Sequence, residues 1–345
     1  MYTADFPPAH TAAGQAALTY EVLDDLGEIE ALSAEWDVLL EQSPCNRAFS
    51  SSAWYVTACR VTPSLSPHLI TARRGAALAG IFPLAVDGGA KEAVFPSKMS
   101  NYNDIVARHD DSAAAVGLLR HALAGPKPYE KIDLWWIRKS SNAARAARLL
   151  AAAGAAGEPF RVERDYAYLS LPPSYDEFLK GRSRVFRKSL LRTQRKARAD
   201  GLRVRELTPD DFPPSQLPET FLRLHLGRFG ERSCFQSPGN LAFARLALPL
   251  LFARRQMRVF ALLRGEEIVG VDLSMAGATS LCTWNGGFLP EVEGWSPGKL
   301  LIDEGIRRAC ELRLREYDLL RGAYDWKMDW ADRVREVGRL EFTAR

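Results

Sequence analysis

The sequence predicts an α+β protein with a mixed sheet, built as two copies of one unit. Apolar runs of strand length stand next to one another as hairpins and meanders, with amphipathic helical stretches interspersed. The order helix, meander, helix, strand runs through residues 68–134 and again through 257–320. Between the halves lies Ala-Ala-Gly154-Ala-Ala-Gly157-Glu-Pro159, whose composition marks a linker. The copies share no obvious residues, so the repeat rests on element order. With 345 residues, two domains are affordable: a leader at 1–18, a first domain at 19–157 and a second at 158–345.

Taken in order, Met1 to about Gln15 is rich in Pro, Ala and Thr and reads as a loose leader. A first strand begins near Tyr20. Leu26, Ile29, Leu32, Trp36 and Leu39 recur at helical spacing, and Ala53 to Cys59 should also be helical. A hairpin follows, His68 to Arg73 and Leu78 to Val86, turning near Gly75. The rest of the first half is a loop from Pro96 to Asn103, a strand around Ile105, a helix Ser112 to Leu123, a strand Lys131 to Ile137 and an Ala-rich helix Asn142 to Ala153. The second half opens with a strand, Tyr166 to Leu171, a helix from Ser174 and a basic helix, with further helices at Glu219 to Phe229 and Leu241 to Ala253. A meander of strands follows at 257–264, 267–276 and 280–284. Gly286 and Gly287 are expected to form a connection, Pro297 to about Leu314 a helix, Glu316 to Leu320 a last strand, and the remainder an aromatic tail.

Composition narrows the chemistry. Hydrophobic residues at 47% and charged residues at 26% describe an ordinary globular chain, and a net charge of +4 matters only if it is clustered. Five scattered cysteines without a C-x-x-C pair, and five dispersed histidines without H-E-x-x-H, predict neither a disulfide framework nor a metal. There is no signal-like start and no apolar run of about 18 residues, so a cytoplasmic protein without a membrane span is expected.

The charge is clustered. Winding Lys180 to Arg198 at about 100° per residue puts Arg184, Arg187, Lys188, Arg195 and Arg198 on one face, and Phe186, Leu190, Thr193 and Ala197 on the other. That face is either simply solvated or meets a phosphate-rich ligand such as RNA. A second pointer is Trp295-Ser296-Pro297-Gly298-Lys299. Ser296 is placed to cap a helix and Pro297 suits its first position. Lys299 opposes the helix dipole, so it either points to solvent or faces an anion. The segment is neither a Walker A loop nor G-x-G-x-x-G. With no G-x-S-x-G elbow and no Ser-His-Asp order, a covalent hydrolase is not expected. Asp272 interrupts an apolar strand: it lies on an exposed face or is a base whose pKa burial raises. His225 and Arg228, three apart, share a helix face.

Together, SRVFRKSLLRTQRKARADG, FLRLHLGRF, the strand ending in WNGGF, WSPGKLLIDEGI and YDLLRGAYDWKMDW resemble the CelD/BcsL-like acyltransferases of the GNAT superfamily, related in fold to the FemAB aminoacyl transferases. WDVLLEQSPCNRAFSSSAWYVTACR and LAGIFPLAV are similar to that family's first module, so the resemblance spans about residues 20–335. It implies two tandem GNAT-like domains, the second holding an acyl-transfer cleft. The donor would be an acyl-CoA, acetyl-CoA for instance, and the acceptor an amine on a small molecule or saccharide. WSPGKLL stands where a pyrophosphate loop R/Q-x-x-G-x-G/A is usual. Trp326 precedes Lys327 where Tyr is common, and Leu312-Arg313-Leu314 replaces a common Gly. The resemblance casts Asp272 as base, and His225, Tyr324 and Lys327 as proton donors or substrate contacts. Ser296, Gly298 and Lys299 would form the phosphate site, and Arg228, Trp284, Asn285 and Trp326 would contact substrate. Two alternatives accompany it. One is a FemAB-like transferase taking its donor from aminoacyl-tRNA bound along the basic helix 184–198, although the long helical arm common in that group is replaced by one short helix. The other is a non-catalytic binding protein.

Overall fold

The computed structural model describes residues 17–124, 127–154 and 160–343. All but the last two residues of the expected leader, and residues 155–159 of the expected linker, lie outside them. The chain divides into two compact units, Met1–Arg164 with Glu336–Arg345, and Asp165–Arg335.

The first unit contains β1 (Leu18–Leu23), α1 (Leu26–Ala31), α2 (Ser33–Glu41), α3 (Ser52–Val61), β2 (Leu65–Arg74), β3 (Ala77–Asp87), β4 (Glu92–Val94), β5 (Val106–Ala107), α4 (Ser112–Leu123), β6 (Lys131–Arg138) and α5 (Asn142–Ala152). The second contains β7 (Phe160–Ser170), which starts a few residues before the boundary, α6 (Tyr175–Lys180), α7 (Arg184–Ala199), β8 (Leu202–Leu207), α8 (Leu217–Phe229), α9 (Pro238–Ala253), β9 (Met257–Arg264), β10 (Glu267–Ala276), β11 (Ser280–Phe288), α10 (Pro297–Glu311), β12 (Glu316–Arg321) and α11 (Asp325–Met328). The last strand, β13 (Arg333–Thr343), pairs antiparallel with β6 through Val337–Thr343. The end of the chain therefore belongs to the first unit. A domain running unbroken from 158 to 345, and a tail without a strand, were both expected, and both give way to this pairing.

In the first unit the strand order is β1-β2-β3-β4-β6-β13, with β5 beside β3. Neighbouring residues point to opposite faces: Ile70, Phe82 and Leu84 pack with α4 and α5, whereas Leu69, Ile81 and Ala85 pack with α1 to α3. In the second unit the order is β7-β12-β11-β10-β9-β8. Phe260, Leu262 and Val269 face Ile302, Ile306 and Ala309 of α10. The alternating residues Val259, Ala261, Val271 and Leu273 are buried too, and α8 and α9 lie against β9 to β11. A sheet covered on both faces explains why these strands read as continuous apolar runs. The repeat seen in element order is real: a meander, a helix and a parallel return strand form β2-β3-β4-α4-β6 and again β9-β10-β11-α10-β12, with β4/β6 and β11/β12 as the parallel pairs.

The single helix expected over Leu26 to Leu40 is broken at Leu32 into α1 and α2. Gly286 and Gly287 are inside β11 rather than in a connection, and the backbone gives the reason. A Cβ at Gly287 would stand 2.4 Å from the His225 nitrogen, so only glycine lets α8 lie directly on the strand.

Candidate active site

A cleft opens in the second unit where its parallel ladder ends. β11 and β12 pair from Ser280–Cys282 against Glu316–Asp318. Past that point lies a cleft of about 490 Å³, lined by Thr283–Phe288 of β11, Leu319 of β12, Gly298 and Lys299 in the first turn of α10, and Arg228 near the end of α8. The pairing of β10 with β11 shifts at Leu273/Ser274: Leu273 faces Asn285 but Ser274 faces Thr283. Trp284 is the extra residue of this bulge, and it lines the cleft.

Asp272 is on the cleft wall, 7% exposed. Ser274 Oγ donates to its Oδ2 at 2.6 Å, and Thr283 Oγ1 donates to its Oδ1. Burial pushes its pKa up to about 6 against the pull of these two donors. Of the two readings left open by the sequence, the buried carboxylate with a raised pKa is the one found. Neither hydroxyl stood out in the sequence, because the register that brings Thr283 beside Asp272 depends on the bulge.

His225 is placed differently from expectation. It is buried among Phe221, Phe229 and Phe235, with ring centroids 4.6–5.3 Å away. Its Nδ1 lies 2.9 Å from Ser233 Oγ, and burial lowers its pKa to about 4 although a bond with Asn285 opposes the shift. At neutral pH it is an uncharged imidazole that orients Asn285, a cleft residue. It does not line the cleft itself.

Lys327 does line the cleft, but its ammonium is engaged. Nζ donates to the carbonyls of Leu319, Leu320 and Arg321, the last at 2.6 Å, and burial lowers its pKa to about 8. The acceptors belong to an irregular strand end. Leu320 has φ +57°, a left-handed conformation that leucine rarely adopts, and its N–H is bound by Asp318 Oδ1 at 2.8 Å. Asp318 and Lys327 together hold this bulge. Tyr324 and Trp326 flank it, 60% and 51% exposed; Trp326 lines the cleft and Tyr324 does not.

Ser296 corrects another expectation. It adopts a left-handed conformation, φ +52°, and its side chain makes no cap bond to α10; Pro297 does occupy the first turn. Lys299 Nζ reaches Ser189 Oγ of α7 at 3.1 Å, which ties the basic helix to the edge of the cleft. Arg228 stacks 4.1 Å from the centre of the Phe288 ring. Burial pulls its pKa below the ordinary arginine value, Glu293 opposing, though arginine stays charged. Arg228 and Lys299 thus share the cleft with Lys327 and with the start of a 15-residue helix.

Residues 184–328, from α7 to α11, match the family model of an acetyltransferase (GNAT) domain. The match contains Arg228, Asp272, Trp284, Lys299 and Lys327. A comparison with curated proteins finds no match. Among solved structures the chain is similar to FemX at 13% identity, with 90% of this chain and 96% of that one covered and a TM-score of 0.64. It is also similar to the C-terminal domain of a putative lysylphosphatidylglycerol synthetase from Agrobacterium fabrum, at 12% identity, 91% of each chain and a TM-score of 0.55. A third is L-PGS from Bacillus licheniformis, at 12% identity, 93% of each chain and a TM-score of 0.55. At such identities the likeness is one of fold. The fold is α+β with GNAT-like domains in tandem, and the cleft lies in the second. Among the described residues no helix is long and apolar enough to cross a membrane, and no group of three or more His, Cys, Asp or Glu could hold a metal ion.

Proposed function

We propose that the protein is a CelD/BcsL-like N-acyltransferase of the cytoplasm, moving an acyl group from acyl-CoA, acetyl-CoA in the simplest case, to an amine of a small-molecule or saccharide acceptor. One observation carries the reading: a buried carboxylate with a pKa near 6, fixed by two hydroxyls, on the wall of a cleft also lined by the cations Arg228, Lys299 and Lys327. A base of that strength is largely ionised at pH 7 and accepts the proton of an attacking amine. The amine nitrogen bonds to the thioester carbonyl carbon, Asp272 takes the amine proton directly or through one water, the C–S bond breaks, and the thiolate leaves and is reprotonated. No enzyme nucleophile is needed. Arg228, Lys299 and the first turn of α10 at Gly298 supply positive charge for the donor's phosphates. Trp284, Asn285 and Trp326 form acceptor-side walls, with Tyr324 at the rim.

A second reading, an aminoacyl-tRNA donor, is favoured by one feature: Arg184, Lys188, Arg192 and Arg195 are exposed on α7, which Lys299 ties to the cleft edge. Thermal unfolding with coenzyme A, acetyl-CoA or bulk tRNA separates the two. A ligand at about 100 times its Kd adds about 2.7 kcal/mol, and the expected outcome is a raised Tm with the coenzyme A compounds. A rise with tRNA alone supports the second reading, and no rise with any of them overturns both.

A further inference from the structure

Tyr317 on β12 has a phenol that none of these roles uses. It is fully buried, and its hydroxyl makes no hydrogen bond of ordinary geometry, which in a native interior calls for an explanation. The hydroxyl faces Ser274 and Thr283, the two groups that donate to Asp272. Gly305 of α10 leaves space for it, since a Cβ there would meet the phenol oxygen at 2.5 Å. Each of the two hydroxyls has one hydrogen and directs it to the carboxylate, so its oxygen keeps lone pairs for a donor. The phenol O–H is the donor in reach.

We propose that Tyr317 is a positioning residue: its O–H donates to the Ser274–Thr283 hydroxyl pair and so polarises and fixes the two bonds that hold Asp272 toward the cleft. The proposal rests on the reading of Asp272 as the base only for its effect on rate. The other ionisable groups around this arrangement are Cys282 on β11, beside the phenol, and, along the cleft that Asp272 faces, Arg228 from α8, Lys299 from α10, and Lys327 and Asp329 from the α11 segment. None of them is altered in the test.

The test is a carbon-13 titration of the Asp272 carboxyl in the wild type and in Tyr317→Phe, followed by pH–rate profiles of both. Hydrogen bonds in a chain strengthen one another, so loss of the phenol donor should move the Asp272 titration upward by about half a unit. Acyl transfer should then fall about threefold at pH 5 and match the wild type by pH 8. Gly305→Ala, which displaces the phenol, should act in the same direction. An unchanged Asp272 titration in Tyr317→Phe and in Gly305→Ala overturns the proposal, whatever happens to Tm. A shifted titration in a protein whose rate ignores the ionisation of Asp272 upholds the positioning role and overturns the base assignment.

Discussion

Asp272→Asn is expected to lower kcat by about 10²- to 10⁴-fold, the range for a lost general base, in a protein that is no less stable than the wild type at pH 7. The two effects separate chemistry from folding. Burial raises the native carboxyl to about 6 from 3.8, so between those values the native state keeps a proton that the unfolded chain has lost. The native state thus binds more protons in that window, and stability falls as pH rises through it. The loss amounts to roughly 3 kcal/mol for a shift of about two units. Asn has no proton to lose and escapes it. The wild-type pH–rate profile should rise through about 6 and the variant's should be flat there. Urea midpoints should show the variant gaining on the wild type between pH 4.5 and 7. A variant that keeps the wild-type rate removes Asp272 from the chemistry.

Gly287→Ala has the largest expected effect on folding. The new methyl would stand 2.4 Å from the His225 nitrogen, 2.5 Å from its Cα and 2.5 Å from the carbonyl carbon of Leu224. All three are main-chain atoms inside α8, which cannot rotate aside as a side-chain tip does. The helix must lift from β11, disturbing His225, Asn285 and the cleft floor at once. A loss of at least about 2 kcal/mol is expected, visible as a lower urea midpoint at unchanged m. Gly227→Ala in the same helix is the control: nothing lies within 4 Å of its Cβ position, so it should be neutral or stabilising by up to about 1 kcal/mol. Equal midpoints for the two variants would show that α8 does not rest on the strand as described.

What could be read from the sequence followed periodicity. α4 coincides with the predicted Ser112 to Leu123, and the β2/β3 hairpin and the β9 to β11 meander were visible as apolar runs. β8 and β13 were missed although both alternate. In LRVREL the arginines continue a basic segment and mask Leu202 and Val204. In RVREVGRLEFT the alternation changes phase at Gly338/Arg339, where the ladder with β6 shifts. Asp272 stood out because a charge inside an apolar strand is rare. Ser274 and Thr283 did not, because cross-strand partners are fixed by register. The role of His225 was partly readable: Phe221, His225 and Phe229 are spaced by four and form one helical stripe, which argues for a packed imidazole. Nothing local in DWKM announces that Lys327 caps three carbonyls, since those carbonyls converge only through the left-handed Leu320.

Strand β13 also bears on the order in which the chain can fold as it is made. Synthesis delivers residues 165–335 as one uninterrupted segment, so the second unit is complete before the first has received its last strand. Until Val337–Thr343 emerge, Lys131–Arg138 presents an unpaired apolar edge to the ribosome's surroundings, a risk for association with other chains. A chain stopped at residue 332 should therefore aggregate through its first unit while its second keeps the near-ultraviolet signature of a packed Trp330. A soluble, monomeric product of that truncation would show that β13 is dispensable to the sheet it closes.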